Sequence, residues 1–150
     1  MKLVLITFLS IALVAGCNGP DKKPVIIPTS AENEALKDSA NFTTLQWLDS
    51  TRLDLGKVKE GEQVEVAFHF RNSGTKPLVI AHVRASCGCT VPETPKEPFA
   101  PGAEGAIKAK FNSSGRSGVN HKLVYVTANT KPSTMQQLEF SVEVEKKEAN

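Results

Sequence analysis

Beyond residue 45 the apolar side chains fall at every second position almost to the end of the chain. In Val64-Glu-Val-Ala-Phe-His-Phe-Arg71, Val64, Val66, Phe68 and Phe70 share one face, while Glu65, His69 and Arg71 share the other. A period of two with one greasy side is the pattern of a strand buried on one face. The same logic turns Ile107, Ala109 and Phe111 inward against Lys108 and Lys110, and Leu138, Phe140, Val142 and Val144 inward against Glu139, Glu143 and Glu145. Further strands are predicted at Arg52 to Val58, Pro77 to Ala85 and His121 to Ala128. Turn residues separate them: Glu60-Gly61, Asn72-Ser73-Gly74, Pro101-Gly102, Ser114-Gly115 and Lys131-Pro132. Six or seven short strands with no helical period between them predict an all-β fold, an antiparallel β-sandwich of about 100 residues. A parallel α/β sheet is excluded because it needs crossover helices. Each buried Phe or branched aliphatic contributes about 1.5–3 kcal/mol, so the inward set holds such a domain without disulfides.

Ahead of these strands the pattern changes. Asn18 to about Leu45 is polar and broken by Pro20, Pro24 and Pro28, which reads as a spacer. Within it, Ala31 to Lys37 is expected to form one or two helical turns, with Thr29 and Glu32 at the spacing of a capping box, although so short a helix is marginal alone. Earlier still, Met1-Lys2 is followed by an apolar run, Leu3 to Val14, and then by Ala15, Gly16 and Cys17. The run is far short of the roughly 20 residues needed to span hydrocarbon. The stretch Leu13-Val-Ala-Gly-Cys17 resembles the lipobox of bacterial lipoproteins, in which cleavage before the cysteine leaves it as the acylated first residue. That resemblance implies a lipid anchor on Cys17, stable because more than one acyl chain is attached. It also implies an extracytoplasmic, thiol-permissive place in the bacterial cell envelope. Asn18 in place of an aspartate after the cysteine favours the outer membrane over the inner where a cell has both. The expected organisation is a signal peptide over residues 1–16, a lipidated spacer over 17–44, the sandwich over 45–146 and a tail over 147–150.

Charge narrows the partners. The formal balance is +2, and loss of Lys2 with the leader lowers it to +1. A nucleic-acid surface needs clustered cations that displace counterions, whereas the lysines here are interspersed with Glu and Asp. Nucleic acid is therefore not an expected partner; the membrane and an envelope protein or glycan are.

One constellation stands out. Apart from Cys17, the cysteines are confined to Ser86-Cys87-Gly88-Cys89-Thr90. Positions i and i+2 of an extended chain face the same way about 6.6 Å apart, at the upper limit for a disulfide, and Gly88 is free to bend and shorten that span. So small a ring removes only roughly 1.6 kcal/mol of unfolded-chain entropy, a weak reason for a staple. Three readings stay open: a structural turn or local disulfide, an exchangeable redox pair, and two thiolates offered to zinc or copper(I). No cofactor is otherwise expected. His69, His82 and His121 have no ligand-like spacing to the pair. No Gly-x-Ser-x-Gly elbow, phosphate loop or His-Glu-x-x-His helix is present, and nothing pairs Asp49, Asp54 or Glu62 as acid and base. No catalytic residue is assigned, and a non-enzymatic role is expected.

From about Leu45 to Val144 the chain resembles the bacterial domain-of-unknown-function family numbered fifteen seventy-three. The resemblance is carried by Leu55-Gly-Lys-Val58, Glu60-Gly-Glu62, Phe68-His-Phe-Arg-Asn72 with Gly74, Pro77-Leu-Val-Ile80, Val83-Arg-Ala-Ser-Cys-Gly-Cys-Thr90, Pro101-Gly102, Phe111 and residues 118–129. It implies an immunoglobulin-like sandwich of about seven strands, similar to major sperm protein and Hydin domains, and a binding or scaffolding role. Fold analogy alone supplies no activity.

Overall fold

The computed structural model describes residues 30–146. Two four-stranded sheets pack face to face. One has the order β1 (Leu45–Trp47), β3 (Gln63–Asn72), β6 (Glu104–Asn112), β5 (Thr90–Pro92); the other has β2 (Arg52–Lys59), β8 (Met135–Glu145), β7 (Gly118–Ala128), β4 (Ile80–Ala85). This is the predicted immunoglobulin-like sandwich, with eight strands in place of about seven. The additional short strands β1 and β5 have three residues each, too few for a period of two to be visible.

The alternation sorts side chains as expected. Val66, Phe68, Phe70, Ile107, Ala109, Phe111, Leu138, Phe140, Val142 and Val144 are all buried, while Glu65, His69, Lys108, Lys110 and Glu143 face solvent. Phe111 of one sheet meets Phe140 of the other edge to face, with centroids 6.0 Å apart. Trp47, Phe70 and Phe99 continue the aromatic contacts at 5.8 and 4.9 Å. Gly105 passes so close to them that a Cβ built there would lie 2.8 Å from Phe70 Cζ and collide with the Phe99 ring.

The sandwich is not wholly antiparallel. β2 pairs with β8 in parallel, from Arg52↔Glu139 to Lys59↔Glu145, across a bulge between Asp54 and Lys57. Side-chain periodicity records which face is buried but not which way a partner strand runs, so the parallel edge was invisible to it. The predicted strand Pro77 to Ala85 also begins later. Leu78 makes an isolated bridge to Phe99, and the ladder with β7 starts only at Ile80.

The segment read as spacer contributes to the domain. A short helix, α1 (Ser30–Lys37), packs beside β4, and Thr43 is 3 % exposed. Thr29, the expected partner in its capping box, lies outside the described residues, as do residues 1–28. Two buried asparagines tie this approach to the sandwich. Asn72 Oδ1 accepts from Thr43 Oγ1 at 2.8 Å and from the Gly74 N–H at 3.2 Å, and its Nδ2 donates to the carbonyls of Lys76 and Phe99. Asn129 Nδ2 donates to the carbonyls of Asn41 and Pro77, and its Oδ1 accepts from the Val79 N–H. Among the described residues no buried side-chain polar atom lacks a partner, and no helix is long and apolar enough to cross a membrane.

Removing a buried aromatic leaves a cavity, whereas removing a buried amide leaves desolvated partners. Phe140→Ala is expected to lower the unfolding free energy by about 3–5 kcal/mol. Asn72→Ala, which deletes far less apolar surface, is expected to lower it by about 3 kcal/mol because it strands buried carbonyls. Denaturant midpoints of both variants check this.

Candidate functional site

At the end of the sandwich where β4 stops and β5 starts, the chain crosses from one sheet to the other through Ser86–Cys89. Two more connections meet it there: the Lys59–Glu62 turn joining β2 to β3 and residues 113–117 joining β6 to β7. Gly61 (φ 94°) and Gly115 (φ 67°) take the left-handed backbone these turns need. Hydrogen bonds tie two of the connections to each other and the crossover to the neighbouring strands β6 and β7. Ser113, fully buried, donates its hydroxyl to the carbonyls of Lys59 and Glu62 at 2.9 and 2.8 Å. The Gly115 N–H donates to Glu60 Oε1 at 3.2 Å, the Asn112 N–H to the Cys89 carbonyl at 2.9 Å, and the Ser86 N–H to the Leu123 carbonyl at 2.9 Å. Loops pinned in this way present an exposed surface on a rigid scaffold.

Cys87 and Cys89 form a disulfide in the crossover between the edge strands β4 and β5, at one side of this end, with Cα atoms 5.4 Å apart. That is shorter than the extended-strand spacing, because residues 86–89 have left the strand for a turn, closed by the Thr90 N–H to the Cys87 carbonyl. Both cysteines are half-buried and Gly88 is exposed. Cys89 packs against the edge of the core. Cys87 Sγ lies 3.7 Å from Thr90 Oγ1. A sulfur bound to another sulfur is not a thiolate, so zinc or copper(I) requires prior reduction of this bond.

The three histidines stand elsewhere. His69, on the outer face of β3, has its Nδ1 2.6 Å from Asp49 Oδ2. His121, on β7, has its Nδ1 3.4 Å from Glu139, and His82 is exposed on β4. Among the described residues no three side chains of His, Cys, Asp or Glu converge as a metal site would need. Asp49 acts as a clasp: the backbone N–H of His69 donates to Oδ2 at 2.8 Å. That hydrogen bond above all, with the His69 side chain second, holds the Asp49 carboxyl below its ordinary range. Cys17 lies outside the described residues.

Turn signals at Glu60-Gly61, Ser86–Thr90 and Ser114-Gly115 were legible one by one. Their convergence was not, because it depends on strand order. Thr90 immediately follows the cysteines, but nothing in the pattern of the chain marks its hydroxyl as the neighbour of Cys87.

Fold and loops together define a small immunoglobulin-like domain with a disulfide-bearing loop surface. A family profile described as "Protein of unknown function (DUF1573)" matches residues 46–144, and the chain belongs to that family. Among solved structures it is similar to a protein of unknown function from Porphyromonas gingivalis W83, with a TM-score of 0.61 and 18% identity over 71% of this chain and 49% of that one. The chain thus spans about half of that protein's length. It is also similar to the ASH / PapD-like domain of human CEP192 (PapD-like domain 7), with a TM-score of 0.54 and 12% identity over 94% of this chain and 100% of that one. No curated protein matches the chain.

Two outcomes test this geometry. A carboxyl held below its ordinary range stabilises the fold above that range and loses its contribution as pH falls through the lowered value. Asp49→Asn is therefore expected to be less stable than the native chain at neutral pH, with the gap closing in acid as thermal midpoints are followed downward in pH. The double substitution Cys87→Ser with Cys89→Ser is expected to lower stability by no more than roughly 1.6 kcal/mol, the entropy of a three-residue ring, in denaturant titrations.

Proposed function

We propose that this chain is a lipid-anchored, non-enzymatic binding or scaffolding module of the bacterial cell envelope, held to the outer membrane through Cys17. The partner is another envelope component, protein or glycan, engaged through the loop surface around Ser86–Cys89 and residues 113–117. The observation that carries this reading is that three connections lie exposed at one end of the sandwich on fixed backbone, two of them bonded to each other and the Ser86–Cys89 crossover bonded to β6 and β7. Such a surface binds without paying to order its loops. The anchor rests on Leu13-Val-Ala-Gly-Cys17. On the two outer faces several charges are already engaged with a neighbour: Arg71 with Glu104, Lys110 with Glu93, Lys57 with Glu145.

A second reading is favoured by a separate observation. The Cys87–Cys89 bond closes a ring too small to staple the fold and sits in an exposed crossover. Accessible disulfides of this kind are the ones that exchange with external thiols.

The binding reading is tested in intact cells with the full-length chain carrying a photocrosslinking residue at Ser86, Ser114 or Lys108. Adducts are expected from the two loop positions and not from Lys108 on the outer face of β6. Equal yields from all three, or none from the loops, overturn it. Cys17→Ala is expected to leave the product without acyl groups by mass spectrometry.

A further inference from the structure

The Thr90 side chain is 3 % exposed, and its hydroxyl has one hydrogen-bond partner among the described residues, Cys87 Sγ at 3.7 Å. A disulfide sulfur is a weak acceptor. A thiolate is charged, and hydrogen bonds to charged groups are about twice as strong. The hydroxyl is thus better matched to reduced Cys87 than to the bond it now faces. The Thr90 N–H donates to the Cys87 carbonyl at 3.3 Å, a backbone link between the two residues besides the contact through sulfur.

The second cysteine has a different environment. Cys89 packs against the apolar core, and burial among apolar groups disfavours a thiolate.

We propose that Cys87 and Cys89 form a thiol–disulfide exchange site in which Cys87 is the nucleophilic sulfur, Thr90 the positioning donor to its thiolate, and Cys89 the resolving thiol. The inference rests on the exchange reading above and assigns its polarity. A dithiol opens the bond: its two thiols become a disulfide, and Cys87 and Cys89 become thiols. In that form the Cys87 thiolate attacks one sulfur of a partner disulfide. The partner's bond breaks, its electron pair leaves on the other sulfur, and Cys87 is joined to the partner as a mixed disulfide. Cys89 gives its proton to the departing thiolate and attacks Cys87 Sγ, which re-forms the Cys87–Cys89 bond. The partner's second sulfur leaves as a thiolate and takes a proton from solvent. The partner gains two electrons and this chain loses two.

The experiment uses the full-length chain in detergent, reduced with dithiothreitol and alkylated with iodoacetamide across a pH series, with each cysteine read by peptide mass spectrometry. The alkylation midpoint of Cys87 is expected below that of Cys89. Thr90→Val is expected to raise the Cys87 midpoint and to slow its alkylation about tenfold near neutral pH, the factor one hydrogen bond to a charged group supplies. Thr90→Ser is expected to keep the native midpoint, and Cys89 is expected to be unmoved by either. Equal midpoints, a lower one for Cys89, or no effect of Thr90→Val overturn the assignment of roles, and the wild-type midpoints decide if that variant does not fold. A bond that dithiothreitol opens only in denaturant overturns the exchange reading itself.

Discussion

Phe111 and Phe140 meet between the sheets, and the rest of the domain is arranged to keep the two surfaces they belong to out of water. Burial of those surfaces is the main favourable term, and it sets the strand register. A slip by one residue would turn Phe68, Phe70 and Phe111 outward and put Glu65, His69 and Lys110 in their place. Ladder hydrogen bonds have no such preference. The alternation therefore specifies the two sheets, and the loops follow from which strands become neighbours.

Apolar burial leaves the ends and edges of the sheets to be settled by polar groups. At one end Asn72 and Asn129 each hold three segments through amides whose N–H groups are all paired. At the other end Ser113 and Glu60 tie together the connections around the disulfide. The edges are blunted by several devices that natural sheets use against strand addition. β1 and β5 are short, and β5 ends in Pro92. On β4, the Val83 N–H is taken by Thr94 Oγ1, and the return through Phe99 lies against Leu78. β2 carries a bulge whose Gly56 N–H is capped by Asp54, with Lys57 and Lys59 exposed. What is left open is loop surface rather than strand edge, in keeping with the recognition proposed for the Ser86–Cys89 end.

Much of the fold was legible from Val64, Ile107 and Leu138 onward, because a half-buried strand writes its period directly into side-chain polarity. Elements that depend on long-range order were not. Direction of pairing between β2 and β8 leaves no trace in either strand. Asn72 read as part of a turn with Ser73 and Gly74, since a buried amide and a turn amide are the same residue until its partners are known. Thr43 looked like spacer for a similar reason. At the site, the Cys-Gly-Cys was visible but its state was not, as spacing alone admits disulfide, thiols or metal. Its environment, with Thr90 on one sulfur and core on the other, came only from the fold.

The parallel edge has a mechanical side. β2 and β8 run the same way, so tension between the N-terminal and C-terminal sides of the chain would load opposite ends of the pair. All six paired positions from Arg52↔Glu139 to Lys59↔Glu145 would then be strained together in shear, rather than peeled apart one rung after another as at the mouth of a hairpin. A domain held by its front end and tugged from behind would, once β1 has parted from β3, yield there only when the whole seam slides at once.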